Sequence, residues 1–134
     1  MTHLRSFNQT ELAEFLTSFG APRYRTLQIL DWLHQKHALE FSEMKNLPAD
    51  FRAKLSEVAE ASALTLEEVP ESSNHESFKY LMKTKDGHLL ESVLIAQKER
   101  QTVCVSTQLG CRIRCTFCAS GKGKFGRNLT AGEI

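Results

Sequence analysis

Three cysteines, Cys111, Cys115 and Cys118, fall within eight residues in the run GCRIRCTFCAS, spaced C-x3-C-x2-C. Three thiolates this close on one loop suit a metal ion or a cluster and make a poor arrangement for disulfides. The spacing is neither the C-x2-C pair of zinc ribbons nor the ferredoxin C-x2-C-x2-C run. A four-iron cube held by three thiolates keeps one iron without a protein ligand. An open iron lets a cluster bind and activate a small molecule as well as pass an electron. The competing reading is a small RNA-binding module with a structural zinc and Cys104 as fourth ligand, although six residues separate Cys104 from Cys111, an uncommon gap between zinc ligands.

Two further residues have types that could do chemistry. Cys104 reads by itself as a small core residue alternating with Val103 and Val105. Glu91 is an acid on an otherwise apolar strand, unusual in an interior but tolerated where an edge strand turns it outward. The five histidines have no metal-like spacing, and Trp32 sits at helical spacing as a core residue.

The formal charge of +1 over 134 residues conceals an asymmetry. Residues 1–97 carry ten basic and fourteen acidic side chains, whereas residues 98–127 carry seven basic ones against Glu99 alone. Those seven are Lys98, Arg100, Arg112, Arg114, Lys122, Lys124 and Arg127, so positive charge surrounds the cysteine loop and would attract an anionic partner. No apolar run approaches a membrane span, and the N-terminus MTHLRSFNQTELAEF has no signal-peptide core. Four cysteines without an export signal are expected to be reduced thiols in the cytoplasm.

The elements that must position these residues fall into two kinds. Residues 8–61 read as helical. Asn8 and Glu11 form an N-cap pair, Leu12, Phe15, Leu16 and Phe19 line one face, and Gly20 with Pro22 ends the helix. A second helix begins near Pro22 with Tyr24, Leu27, Leu30, Trp32 and Leu33 as most of its apolar face. A short turn over Ser42–Lys45 precedes a third helix after Pro48, lined by Phe51, Leu55, Val58 and Ala59. The polar stretch EEVPESSNHES (67–77) reads as a linker, and past it the period becomes two. Phe78, Tyr80 and Met82 alternate with lysines, Asp86-Gly87 signals a hairpin, and LLESVLI (89–95) and TVCVS (102–106) return as strands. Thr130 and Glu133 form a capping box, so a helix is expected to start there, in the front part of a longer chain. The expected fold is α+β: a three-helix accessory domain over 1–66, a linker over 67–77, and over 78–134 a hairpin extension with the first β/α unit of a barrel.

The strings LLESVLI, VCVSTQLGCRIRCTFCAS and GRNLTAGEI, with Phe117 just before the last cysteine, resemble the RlmN/Cfr family of radical S-adenosylmethionine RNA methyltransferases. The resemblance covers Glu91 to Ile134 and is more specific than the three-cysteine spacing, because Cys104 stands seven residues before Cys111. It implies one [4Fe-4S] cluster on Cys111, Cys115 and Cys118, S-adenosylmethionine as cofactor, and an electron donor such as flavodoxin. It implies methylation of adenosine, at C2 with C8 as the alternative, in 23S ribosomal RNA and for some members in transfer RNA. In the family a methyl-carrying cysteine adds to the ring and forms a temporary protein–RNA link. Cys104 matches the cysteine that helps to resolve that link, and Glu91 the acid that accepts the ring proton, a task suited to a buried carboxylate. The glycine-rich cofactor motif and the methyl-carrying cysteine have no counterpart among these residues, so the isolated chain is expected to be inactive.

Overall fold

Asn8 opens the first helix by satisfying backbone groups that the helix itself leaves unpaired. In the computed structural model, which describes residues 1–70 and 76–134, the Asn8 side-chain oxygen accepts from the N–H groups of Thr10 (2.9 Å) and Glu11 (3.0 Å). The Asn8 N–H in turn donates to the Glu11 carboxylate at 2.8 Å, completing the reciprocal cap. After the short strand β1 (Thr2–His3), this helix, α1, runs Gln9–Ser18. Its end is equally local. Gly20 takes φ +68°, and the N–H groups of Gly20 and Ala21 donate to the carbonyls of Thr17 and Leu16, the pairing of a Schellman stop.

Helix α2 (Tyr24–Leu30) runs into a wider π turn over Asp31–Gln35, in which the Lys36 N–H reaches back to the Asp31 carbonyl. Its buried side is Thr26, Ile29 and Leu33, whereas Tyr24 and Leu27 are exposed. The expected apolar face is therefore corrected: the one facing α1 lies a fraction of a turn away from Tyr24 and Leu27. A 3-10 turn at Phe41–Glu43 matches the predicted short turn, and α3 (Ala49–Val58) follows Pro48. Leu55 and the following Ala59 are buried, but Val58 is exposed. Leu4, Leu12, Leu16, Ile29, Leu33, Met44 and Leu55 form the core, with Trp32 half-buried against it. Strand β2 (Ala59–Glu60) returns the chain to pair in parallel with β1, and Arg5 donates to the carbonyls of Ala38 and Ala61.

The chain divides after Ala63, not after residue 66. The reason is that Leu64–Glu68 forms strand β3, so Glu67 and Glu68 of the expected linker belong to a sheet; residues 71–75 of that stretch lie outside the described residues. Strands β4 (Ser77–Thr84), β5 (Leu89–Gln97) and β6 (Arg100–Cys104) complete a four-stranded sheet in the order β3-β4-β5-β6. Every pairing in it is antiparallel. The hairpin between β4 and β5 turns at Asp86-Gly87, with Gly87 at φ +84°. The α+β class stands, but the parallel β/α unit expected at the end is not formed among the described residues. Strand β6 lies antiparallel at the sheet edge, and residues 131–133 make one turn.

Replacing Asn8 with Ala removes an acceptor from two helix N–H groups, so the first unit should lose about 1 kcal/mol of stability. Asn8→Asp should retain most of it. Urea unfolding followed by far-ultraviolet circular dichroism measures both.

Candidate functional site

Strand alternation gives the Leu64–Ile134 sheet two unlike faces. Leu64, Met82 and Leu90 share one, as their register pairs Leu64 with Thr84 and Met82 with Leu90. Leu109 and Leu129 pack onto Leu90 there and form the unit's small core, flanked by Leu64 and Met82. The opposite face carries Lys79, Glu91, Val93 and Cys104, because Val93 pairs with Lys79 on β4 and with Cys104 on β6.

The cysteine loop is closed at its base by the backbone. The Leu109 N–H donates to the Arg127 carbonyl (2.9 Å), the Gly126 N–H to the Leu109 carbonyl (2.8 Å), and the Leu129 N–H to the Thr107 carbonyl (2.9 Å). Gln108 and Asn128 face each other in the same antiparallel ribbon, their side-chain amides joined at 2.8 Å. Leu109 and Leu129 are the apolar plugs that hold this base on the sheet. Within the loop, Gly110 has φ +73°, and a Cβ there would lie 2.3 Å from the Lys124 carbonyl oxygen, so only glycine fits. Gly121 is buried against Arg114 and Cys115, at whose backbone a Cβ would come within 3.2–3.3 Å. Arg114 adopts φ +52° between Cys111 and Cys115, and the Cys118 N–H closes a turn onto the Cys115 carbonyl at 3.1 Å. The Arg112 guanidinium lies over the Phe125 ring, 4.3 Å from its centre.

All four cysteines are free thiols; Cys111, Cys115 and Cys118 are partly buried and Cys104 is exposed. Among the described residues no three His, Cys, Asp or Glu side chains converge on one metal ion. Cys104, on the Glu91 face, stands on the side of the sheet away from the leucines that seat the loop base. Glu91 and Cys104 are diagonal neighbours on adjacent strands, a relation that puts residues about 7–8 Å apart, with Cβ atoms somewhat closer. The burial expected of Glu91 is not found: its carboxylate is half-exposed and meets Lys79 Nζ at 3.2 Å. The Ser106 hydroxyl donates to the Glu91 carbonyl at 3.0 Å.

One set of positioning residues was not read from the sequence as a set. Arg127 donates through Nε and Nη2 to Asp86 (2.8 and 2.9 Å) and through both Nη atoms to Glu133 (2.7 Å each). Glu133 also accepts from the Thr130 N–H (2.8 Å) and hydroxyl (3.1 Å). The guanidinium thus staples the β4–β5 turn to the segment leaving the cysteine loop. Its hydrogen bonds hold the Glu133 carboxyl at about 2 and Asp86 well below the ordinary carboxylate range. Glu133 first and Asp86 second push Arg127 above its usual value. By sequence Asp86 is a turn residue, Glu133 a cap and Arg127 one of seven basic residues around the loop. Arg127 is accordingly withdrawn from the surface available to an anion.

Residues 2–61 match the family described as Ribosomal RNA large subunit methyltransferase N-terminal domain. The chain is 43% identical over 131 residues to the Dual-specificity RNA methyltransferase RlmN of Geotalea uraniireducens, covering 98% of this chain and 38% of that protein. It is 44% identical over 134 residues to the Probable dual-specificity RNA methyltransferase RlmN of Thermotoga neapolitana, covering all of this chain and 39% of that one. A crystal structure of a radical SAM methyltransferase from Sphaerobacter thermophilus superposes with a TM-score of 0.94 at 39% identity, over 99% of this chain and 39% of its own. The chain thus spans less than two-fifths of the length of these relatives.

Arg127→Ala leaves the nearly buried Glu133 carboxylate without its cation and should destabilise the second unit by roughly 1–3 kcal/mol. The pH dependence has a definite sign. The folded-state value of Glu133 lies below its ordinary 4.5, so the staple contributes fully above pH 4.5 and its contribution is lost as pH falls towards about 2. Urea midpoints measured between pH 7 and pH 2 should fall more steeply for the parent than for Arg127→Ala.

Proposed function

The chain belongs to the RlmN/Cfr family, and on that premise we propose that its second unit supplies the cluster loop and two reacting side chains of a radical S-adenosylmethionine RNA methyltransferase. The observation that carries the proposal is the pinned loop with three unpaired thiols, folded by close approaches that admit only glycine at Gly110. Its soft, cysteine-only donor set fits a [4Fe-4S] cluster, with Cys111, Cys115 and Cys118 as ligands and one iron open. When bound, that group supplies an electron and a coordination site for the amino and carboxylate groups of S-adenosylmethionine.

The chain's own residues then have separate tasks. The Leu109–Leu129 base and the Arg127 staple hold the loop still, which keeps a bound cofactor in one orientation. Glu91 accepts the proton from the adenosine ring carbon, and the neighbouring Cys104 thiolate resolves the protein–RNA link; their placement on one face of the sheet, on adjacent strands, supports a shared substrate. The substrate is proposed to be 23S ribosomal RNA and transfer RNA, with C2 of adenosine as the acceptor. The proposal includes a cytoplasmic location and a flavodoxin-like electron donor; no helix among the described residues is long and apolar enough to cross a membrane. Strand β6, at the sheet edge, is proposed as the first strand of the barrel, with its outer side open to a parallel neighbour.

Anaerobic reconstitution of the 134-residue chain should give a brown protein with four irons, and replacing Cys111, Cys115 or Cys118 by Ala should abolish most iron and sulfide uptake. Stoichiometric colourless zinc in place of iron would sink the cluster assignment. In a full-length family member carrying these residues, Cys104→Ala should keep the iron and accumulate a covalent protein–RNA adduct on denaturing gels. Loss of iron on that substitution would make Cys104 a ligand.

A further inference from the structure

The Glu91 carboxylate has a cation on one side and a thiol on the other. On β4, Leu81 is directly opposite Glu91, and Lys79, two residues along, is its diagonal neighbour on the same face. Lys79 Nζ meets Glu91 Oε1 at 3.2 Å. The other cation of β4 on this face, Lys83, lies 3.8 Å from Glu67 on β3. On the far side, Cys104 pairs with Val93 and so stands diagonal to Glu91, and the Ser106 hydroxyl donates to the Glu91 carbonyl at 3.0 Å. Among the described residues of the two flanking strands, Lys79, Lys83 and Cys104 are the titratable groups diagonal to Glu91 on this face, with Arg100 further along β6 opposite Gln97.

We infer that Lys79 is a positioning residue for Glu91: its ammonium holds the carboxylate on the β4 side of the face, directed for proton abstraction and clear of the Cys104 thiol. This rests on the proposed role of Glu91. The physical need is specific. A glutamate on a half-exposed strand has three rotatable side-chain bonds and samples many directions, whereas proton transfer requires one oxygen within hydrogen-bond reach of the substrate. Anchoring Oε1 to Nζ restricts the side chain while the second oxygen stays available for the proton. The pair itself is half-exposed on both sides, so it contributes little to stability, and its effect falls on orientation. A carboxylate free to swing towards β6 would also bring its negative charge against the thiolate proposed for resolution.

The test uses a full-length family member carrying these residues and measures kcat and KM for RNA. Lys79→Met should lower kcat roughly three- to fivefold, the scale of an exposed ion pair, with KM for RNA unchanged. Lys79→Arg should restore most of it, because it keeps the charge and the reach. Added to Glu91→Gln, Lys79→Met should cost nothing further, since the group it positions has gone. Lys79→Gln serves as the second variant, and melting temperatures confirm that each protein is folded. A raised KM at unchanged kcat would make Lys79 an RNA contact and overturn the inference, as would a silent Lys79→Met or an additive double variant. If Glu91→Gln alone leaves kcat intact, the role of Glu91 falls and this inference falls with it. That outcome is distinct from one in which Glu91→Gln is damaging and Lys79→Met is not.

Discussion

The cysteine loop has almost no apolar core of its own, so its shape depends on how its base is tied down. Among the described residues, Leu109 and Leu129 are the only buried aliphatic side chains that the loop's stems contribute to the sheet. The rest is polar: a short backbone ribbon and the guanidinium of Arg127 between two carboxylates. A buried glutamate is costly unless its hydrogen bonds are satisfied, and Glu133 has both oxygens engaged, by Arg127 and by Thr130. The same guanidinium grips Asp86, which is also the residue that turns the β4–β5 hairpin. One cation thus joins the register of the sheet to the exit of the loop. Loop closure is unfavourable in entropy for a glycine-rich segment, and here polar pairing offsets it in place of apolar area.

The sheet converts a period of two into a division of labour. Leu90 and Glu91 are consecutive, so they point to opposite faces: one seats the loop base, the other joins Lys79 and Cys104. A slip of one residue in β5 would exchange them, putting Glu91 into the leucine cluster and Leu90 beside the thiol. The register is therefore a chemical constraint as well as a structural one. It is set at the Asp86-Gly87 turn, where Gly87 supplies the positive φ that the hairpin requires. The irregularity between Leu66 and Glu68 is confined to β3, at the opposite edge from Cys104. The pairings between β4, β5 and β6 that bring Lys79, Glu91 and Cys104 together are uninterrupted.

What the sequence determined was what neighbours along the chain can determine. The cysteine spacing, the Asn8–Glu11 cap, the Gly20 stop and the Asp86-Gly87 turn each depend on residues within a few positions of one another, and each is present as read. The strings around the cysteines carried the family for the same reason. Tertiary structure decided the rest. Tyr24 and Leu27 follow a helical period, but which side of α2 is buried depends on where α1 and the core lie, and Thr26 and Ile29 face inward instead. Glu67 and Glu68 read as the start of a linker, yet Leu64–Glu68 forms a strand because β4 offers it a partner. The antiparallel place of β6 follows from its pairing with β5. Arg127 could be counted as a cation, yet its partner Asp86 lies 41 residues away, and no local spacing encodes that meeting. Residue type and short-range spacing are written in the chain, whereas the pairing of distant polar groups exists only once the sheet has brought them within hydrogen-bond distance.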